Sequence, residues 1–151
     1  MLGVTHMIAG AMAGYLVSPD WIGIVIGGVA GLLPDIDQPR TKIGKWLRPV
    51  SYLVHRKFQH RTFTHSLLFT AAMYVILKSY SPGIARIVAV AMASHIIGDM
   101  VTGRVMLLWP YRQWIGIRIP RGMYGLMDKG IRLVLIAAAI WYGWERLLHR
   151  I

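Results

Sequence analysis

Cysteine does not occur in this chain of 151 residues. Its absence excludes disulfides and thiolate ligands, so any metal must be held by histidine, aspartate, carbonyl oxygens or water. Acidic residues are also scarce, since six Asp and Glu stand against 17 Lys and Arg and give a net charge of +11. A secretory signal is not expected either, because the first apolar segment contains His6 and no A-x-A cleavage pattern follows it.

Apolar residues, in contrast, are abundant and occur in blocks. They make up 56% of the chain, and the mean hydropathy of +0.50 lies above that of a usual soluble domain. Short polar stretches separate the blocks, which is typical of membrane spans rather than of alternating strands. The sequence therefore predicts an integral membrane protein with a single domain over residues 1–151. Its positive charge then indicates topology and contact with anionic lipid, and no binding of nucleic acid is expected.

The blocks predict an all-α bundle of about five helices. These are expected over residues 3–17, 21–33, 66–80, 84–108 and 131–148, with Ser81, Pro82 and Gly83 as a helix break. Glycines spaced by four in the first two segments let helix backbones approach closely in lipid. They predict a tightly packed hairpin, and they are Gly10 and Gly14 in the first segment and Gly23, Gly27 and Gly31 in the second.

Two polar stretches, residues 38–64 and 109–130, carry most of the Lys and Arg and a single acid, Asp128. The positive-inside rule predicts that both are cytoplasmic loops. The chain is then expected to be a multi-pass protein of the inner membrane, with its N-terminus inside and its C-terminus outside.

Ionisable side chains near membrane helices are costly and indicate function. The predicted topology places seven of them toward the cytoplasmic side: His6, Asp35, Asp37, His60, His65, His95 and Asp99. Within one segment His95, Asp99 and Thr102 repeat at i, i+4 and i+7, so they share a helical face. Four imidazoles and three carboxylates suffice for two divalent ions, with positions left for water and substrate.

Several of these residues also have a simpler interpretation, whereas His95 and Asp99 form a pair that an apolar helix would hardly contain without a partner. His6 alone is equally typical of a packing or hydrogen-bonding residue, and Asp35 and Asp37 alone could form a solvated cap. His60 could belong to the basic surface that includes His55. A proton relay or a structural polar cluster is the alternative for the set as a whole.

Four ordered motifs then resemble a known family: THMIAG, GLLPDIDQPRT, HRTFTHSLL and SHIIGDMVTGRVMLLWP. Together, over about residues 3 to 111, they are similar to the YdjM family, small inner-membrane proteins described as LexA-regulated, metal-dependent hydrolases. The resemblance implies a helical, membrane-embedded hydrolase whose metal ligands are the seven residues above. By residue types alone, the chain is also similar to the helical zinc-dependent phospholipases C.

The resulting hypothesis is a metal-dependent hydrolase of a phosphoester, with a membrane lipid or lipid-linked phosphate as substrate. One or two ions are expected, zinc first for a histidine-rich set and manganese second. Asp35, Asp37, His65 and Asp99 are the predicted catalytic residues. Arg40 and Arg61 flank the motifs and are predicted to bind phosphate, although topology and lipid contact alone would also account for them.

Other functions remain open at this level. An amide bond is a further possible target, although the H-E-x-x-H pattern is missing. The alternatives to an enzyme are a cation-binding transporter and a non-enzymatic membrane module whose basic loops recruit lipid or a partner.

Overall fold

The computed structural model describes residues 1–148, which are mostly helical. Residues 149–151, and with them the C-terminus that was predicted to lie outside, fall outside the described residues. The seven α-helices are α1 (Gly3–Val17), α2 (Trp21–Ala30), α3 (Lys42–Trp46), α4 (Arg48–Lys57), α5 (Leu67–Lys78), α6 (Pro82–Val101) and α7 (Tyr124–Leu148). The remaining elements are 3₁₀ turns at Leu33–Asp37, Phe63–His65 and Arg121–Met123, and the antiparallel strands β1 (Arg104–Val105) and β2 (Ile115–Gly116).

Short polar side chains begin several of the apolar helices. The Asp20 carboxylate accepts a hydrogen bond from the Gly23 N–H at the start of α2 (2.8 Å). Ser66 accepts one from the Phe69 N–H at the start of α5 (3.1 Å). Ser81 caps α6, where Pro82 occupies the first turn and needs no hydrogen-bond acceptor. A break between α5 and α6 is therefore present at residues 79–81, but Pro82 and Gly83, which were predicted to belong to it, already form the first turn of α6.

Three of the predicted boundaries were wrong: the end of the second segment, the end of the fourth and the start of the fifth. The fifth begins at Tyr124 rather than at residue 131, so the end of the predicted loop 109–130 is helical. The second segment ends at Ala30 rather than at residue 33, and Leu33–Asp37 forms a separate 3₁₀ turn with Pro34 in its first turn. The fourth ends at Val101 rather than at residue 108, because residues 104–105 pair with 115–116. Apolar residues continue past both ends, so hydropathy alone could not locate them. The polar stretch 38–64 also contains the short helices α3 and α4.

The predicted hairpin of α1 and α2 is confirmed by the approach of their backbones at the glycines. A Cβ added to Gly27 would collide with the Gly10 carbonyl oxygen and would lie 2.8 Å from the Gly14 Cα. A Cβ added to Gly10 would lie 2.8 Å from the Gly31 Cα. The absent side chains therefore allow direct backbone contact.

We expect Gly27→Ala to destabilise the protein by about 1–3 kcal/mol, the usual cost of overpacking, because the opposing atoms belong to backbone. Gly143→Ala is the matched control, since a Cβ there meets no atom within 4 Å. The control should leave stability unchanged or raise it by up to about 1 kcal/mol through helix propensity. Unfolding of the purified protein in detergent measures both, and equal stabilities of the two variants would contradict the close contact.

Helix α6 lies at the centre of the molecule. It packs against α1, α2 and α5, whereas α7 packs chiefly against α1. Buried residues of α2 and α6 form the apolar core, namely Ala30, Val88, Ala91 and Met92. The half of α6 that follows this core contains His95 and Asp99, both buried. The central helix thus supports the core and then delivers two ionisable side chains to one end of the molecule.

Within residues 1–148, one helix is long and apolar enough to cross a membrane by length and composition, and it is α6. Helices α1 and α5 are apolar but shorter. Large apolar side chains on the other helices face outward, as shown by Trp21 (71% exposed), Val75 (65%) and Ile140 (68%). The helical character of the predicted bundle is confirmed, while its five membrane spans stay a prediction.

Candidate metal centre

The seven predicted ligands come together at one end of α6. His6 is contributed by α1, Asp35 and Asp37 by the 3₁₀ turn after α2, His60 and His65 by the segment before α5, and His95 and Asp99 by α6. Six of them are buried, and His60 is partly exposed. Four separate segments therefore place imidazoles and carboxylates in one cluster that is largely shielded from solvent.

His95 is held by a backbone carbonyl. Its Nδ1 lies 2.6 Å from the carbonyl oxygen of Gly31, the residue that ends α2. A carbonyl can only accept, so Nδ1 carries the proton and Nε2 keeps a free lone pair. The ring also stacks on that of His6, with centroids 3.5 Å apart and planes inclined by 13°. A hydrogen bond that fixes one imidazole nitrogen in this way is the usual partner of a metal-binding histidine.

His65 directs the lone pair of its own Nε2 toward Nε2 of His95. Its Nδ1 lies 3.1 Å from Thr64 Oγ1 and 3.5 Å from Asp37 Oδ2, which favours a proton on that nitrogen. Its Nε2 then faces His95 Nε2 at 3.2 Å and Asp99 Oδ2 at 3.3 Å. Two lone pairs and an anionic oxygen at such distances repel one another. A cation between them would turn this repulsion into attraction.

His6 provides a further indication of a cation. Both of its ring nitrogens are buried and have no aligned hydrogen-bond partner within the described part of the chain. Buried polar groups are normally satisfied, and exceptions often mark a missing ion or water. His6 Nε2 lies 3.2 Å from Asp99 Oδ1. The donor set and this unsatisfied imidazole fit a divalent cation.

The potential ligands form two groups of three. One consists of His6, His95 and Asp99, and the other of Asp35, His60 and His65. Within each group the ligand atoms all lie within 4.8 Å of one another. Two adjacent groups with mixed nitrogen and oxygen donors can hold one or two ions.

Asp37 lies behind these groups rather than within them. Its Oδ1 is 3.0 Å from His60 Nδ1, and its Oδ2 accepts hydrogen bonds from the Arg61 N–H (3.1 Å) and the Thr64 hydroxyl (3.0 Å). Burial favours the neutral acid, but the hydrogen bond with His60 and the nearby His65 outweigh it and lower the pKa of Asp37. These contacts are those of a carboxylate that orients histidine ligands. Its role as a direct ligand stays a prediction.

Asp35, in contrast, faces the imidazole lone pairs. Its Oδ1 lies 3.8 Å from His95 Nε2 and 4.0 Å from His65 Nε2. Burial is the main cause that raises the pKa of its carboxyl above the ordinary value. A bound cation would offset the cost of ionising this buried acid.

Asp99 has positively charged neighbours on its other oxygen. Its Oδ1 lies 2.9 Å from Nη2 of Arg61 and 2.6 Å from the amino group of Met1. Arg61 has a left-handed backbone with φ of 66°, unusual for a residue with a side chain. Its backbone N–H binds Asp37 while its guanidinium binds Asp99. Arg61 therefore links the two aspartates across the cluster.

A cavity of about 490 Å³ opens onto the cluster. Both predicted phosphate-binding residues, Arg40 and Arg61, line it together with Asp35, His60 and Asp99. Its apolar wall consists of Leu2, Val4, Leu32 and Ile43. The cavity could therefore receive a molecule with an anionic part near the cluster and an apolar part beside it.

Two residues of this region were missed by the sequence analysis. Tyr124, the first residue of α7, lines the cavity. Asp128 is fully buried and accepts hydrogen bonds from the Leu2 N–H (2.7 Å) and the Thr5 hydroxyl (3.0 Å). Asp128 thus holds the first turn of α1 in place, and one of its two partners, Thr5, directly precedes His6. Its isolation as an acid within a basic stretch was the available signal, but the stretch was assigned to a loop.

Comparisons with known proteins agree with the motifs. A protein-family profile described as "YdjM inner membrane protein" matches residues 1–151. A Bacillus subtilis (strain 168) protein named "Uncharacterized protein YvsG" is 35% identical over 158 residues, covering 99% of this chain and 98% of its own. "Inner membrane protein YdjM" of Escherichia coli (strain K12) is 36% identical over 138 residues, covering 85% of this chain and 69% of its own. The Shigella flexneri protein of that name gives the same values. No solved structure matches.

Proposed function

The chain belongs to the YdjM family of inner membrane proteins, and we propose that it is a metal-dependent phosphoester hydrolase acting at the membrane. The observation that carries this proposal is the opposition of His65 Nε2 and His95 Nε2 at 3.2 Å beside the carboxylate of Asp99. Two opposed lone pairs repel each other unless a cation or a shared proton lies between them, and the adjacent carboxylate favours a metal cation. The cavity beside it supplies room and positive charge for an anionic substrate.

Six residues would hold the metal. His6, His95 and Asp99 would bind one ion, and Asp35, His60 and His65 a second. Zinc suits a set of imidazoles and carboxylates best, with manganese as runner-up. When bound, such an ion acts as a Lewis acid that activates water and polarises a phosphoryl oxygen. Asp37 would keep His60 and His65 in the required orientation through the contacts described above.

The substrate is proposed to be a lipid-linked phosphate. Arg40 is exposed at the cavity, and Arg61 has a buried Nε without a hydrogen-bond partner in the described part of the chain. Both guanidinium groups can bind phosphoryl oxygens through charge-assisted hydrogen bonds. The apolar wall formed by Leu2, Leu32 and Ile43 would hold the hydrocarbon portion. An amphiphilic phosphoester satisfies both surfaces, whereas a small soluble phosphoester leaves the apolar wall exposed.

This proposal is tested by phosphate release. Purified protein would be stripped with a chelator, reloaded with zinc or manganese, and given an alkyl-chain phosphomonoester and a soluble one of the same headgroup. We expect turnover only after reloading, and faster turnover of the alkyl substrate. Metal binding without phosphate release from either substrate would contradict the hydrolase and favour a cation-handling protein.

The proposed topology places the cluster on the cytoplasmic side of a multi-pass protein. The short helices α1, α2 and α5 would cross a locally thinned bilayer beside α6. A reporter inserted near Lys45 should then be cytoplasmic, and one near Ser81 external, because α6 separates Ser81 from the cluster by its full length. The reverse result would move the centre to the outer face and exclude cytoplasmic substrates.

A further inference from the structure

A second cavity, of about 420 Å³, lies between the end of α4 and the segment that follows β1. We call it the aromatic pocket, after Phe58, Trp109 and Trp114 in its lining. Its charged lining residues are Lys57 and Arg112, both exposed. None of its described lining residues is acidic. Its charge therefore favours an anion.

Packed aromatic rings support the aromatic pocket. The Phe58 and Phe63 rings stack with centroids 4.6 Å apart, and Trp109 packs edge-on against them at 5.7 Å and 4.9 Å. The Met106 N–H also donates to the Arg61 carbonyl (2.8 Å), which ties the two walls together. A pocket that is already formed costs little ordering entropy when a ligand binds.

An apolar surface adjoins the pocket. The Leu67 N–H donates to the Leu107 carbonyl (2.9 Å), so the first turn of α5 lies against the segment that leads to Trp109. Leu67, Leu68 and Leu108 are about half exposed there (50%, 51% and 47%). Tryptophan is enriched where membrane helices leave the hydrocarbon. A ligand that joins an anionic headgroup to hydrocarbon chains complements both surfaces.

The aromatic pocket is separate from the cavity at the metal centre. The two share none of their described lining residues. One short segment divides them, because Gln59 and Thr62 line the pocket while His60 and Arg61 line the cavity at the cluster. A ligand in the aromatic pocket would therefore be separated from the metal centre by the segment 59–62, which carries His60 and Arg61.

We propose that the aromatic pocket binds the headgroup of an anionic phospholipid, with the phosphate between Lys57 and Arg112 and the acyl chains along α5. The lipid is a resident ligand of the fold and is distinct from the substrate of the hydrolase. This site does not depend on the proposed enzymatic activity.

The test is native mass spectrometry of the detergent-solubilised protein with phosphatidylglycerol, phosphatidylcholine or inorganic phosphate. Micelles lack a charged membrane surface, so retention reports a defined site. We expect preferential retention of phosphatidylglycerol, and a loss of roughly tenfold or more in the variant Lys57→Gln/Arg112→Gln, because the phosphate would lose a charge-assisted hydrogen bond to each of the two side chains. The control Lys45→Gln/Arg118→Gln removes the same charge from exposed residues that do not line the pocket and should retain the lipid.

Two further measurements distinguish the aromatic pocket from the metal centre: the metal content of the double variants and the lipid retention of a His95→Ala variant. Both double variants should keep the parent's metal content, and His95→Ala should still retain phosphatidylglycerol. Equal loss of phosphatidylglycerol in the two double variants would overturn the site. Retention of phosphatidylcholine equal to that of phosphatidylglycerol would also overturn it. Loss of lipid with His95→Ala alone would assign it to the substrate cavity instead. Retention of inorganic phosphate in place of lipid would refute the lipid as occupant.

Discussion

Replacement of His95 by alanine is expected to lower the affinity for divalent metal by more than about 100-fold, since loss of a mere outer partner of a ligand costs 10–100-fold. His95 is fixed by the Gly31 carbonyl and stacked on His6, so its Nε2 is held in place as a donor and alanine would leave that position without one. Asp99→Asn should have a comparable effect, because Asp99 lies within reach of His6, His65 and His95. Elemental analysis of the purified variants measures the number of ions retained.

Matched controls for these variants are present in the chain. His55→Ala removes an exposed imidazole whose Nδ1 contacts only the backbone oxygen of Asp37 (3.0 Å) among the described contacts. Asp20→Asn alters the exposed carboxylate that caps α2, at the other end of the hairpin. Both controls should keep the parent's metal content. Full occupancy in His95→Ala and Asp99→Asn would refute the metal centre.

Substitution of the paired aspartates is expected to have the largest effect on activity. Asp35→Asn should reduce turnover by at least about 100-fold, because it removes an anionic oxygen that faces His65 and His95. Asp37→Asn should act through the ligands, with metal affinity lower by roughly 10–100-fold, because an amide cannot accept all three of the hydrogen bonds that orient His60 and the following turn. Phosphate release and metal content, measured together, separate the two effects.

Arg40→Ala is the comparison for both variants. Arg40 lines the cavity but belongs to neither group of ligands. Its loss should raise KM by roughly tenfold, as expected for one hydrogen bond to a charged group, and should leave metal content unchanged. All three proteins should insert and purify normally. Equal and mild effects from all three substitutions would refute both the ligand role of Asp35 and the orienting role of Asp37.

The amino-acid sequence by itself determined the class of the protein and the chemistry of the cluster. Composition and apolar blocks indicated a helical membrane protein, and the motifs around His6, Asp35, His65 and Asp99 identified the family. The absence of cysteine restricted the donors to nitrogen and oxygen. These conclusions depend on composition and on short motifs, which are properties that the linear sequence contains directly. The hairpin of α1 and α2 could be predicted in the same way, because glycines spaced by four lie on one face of each helix.

The tertiary structure alone decided which atoms each of these residues contacts. Asp35 and Asp37 are two positions apart and look equivalent in sequence, yet one faces imidazole lone pairs and the other accepts hydrogen bonds behind them. Likewise, the Gly31 carbonyl that orients His95 is 64 positions away along the chain, and Asp128 reaches Thr5 across 123. Such contacts depend on which backbone and side-chain atoms the packed helices bring within hydrogen-bonding distance. Hydropathy and periodicity describe a segment's own preference, and they contain no information about that pairing.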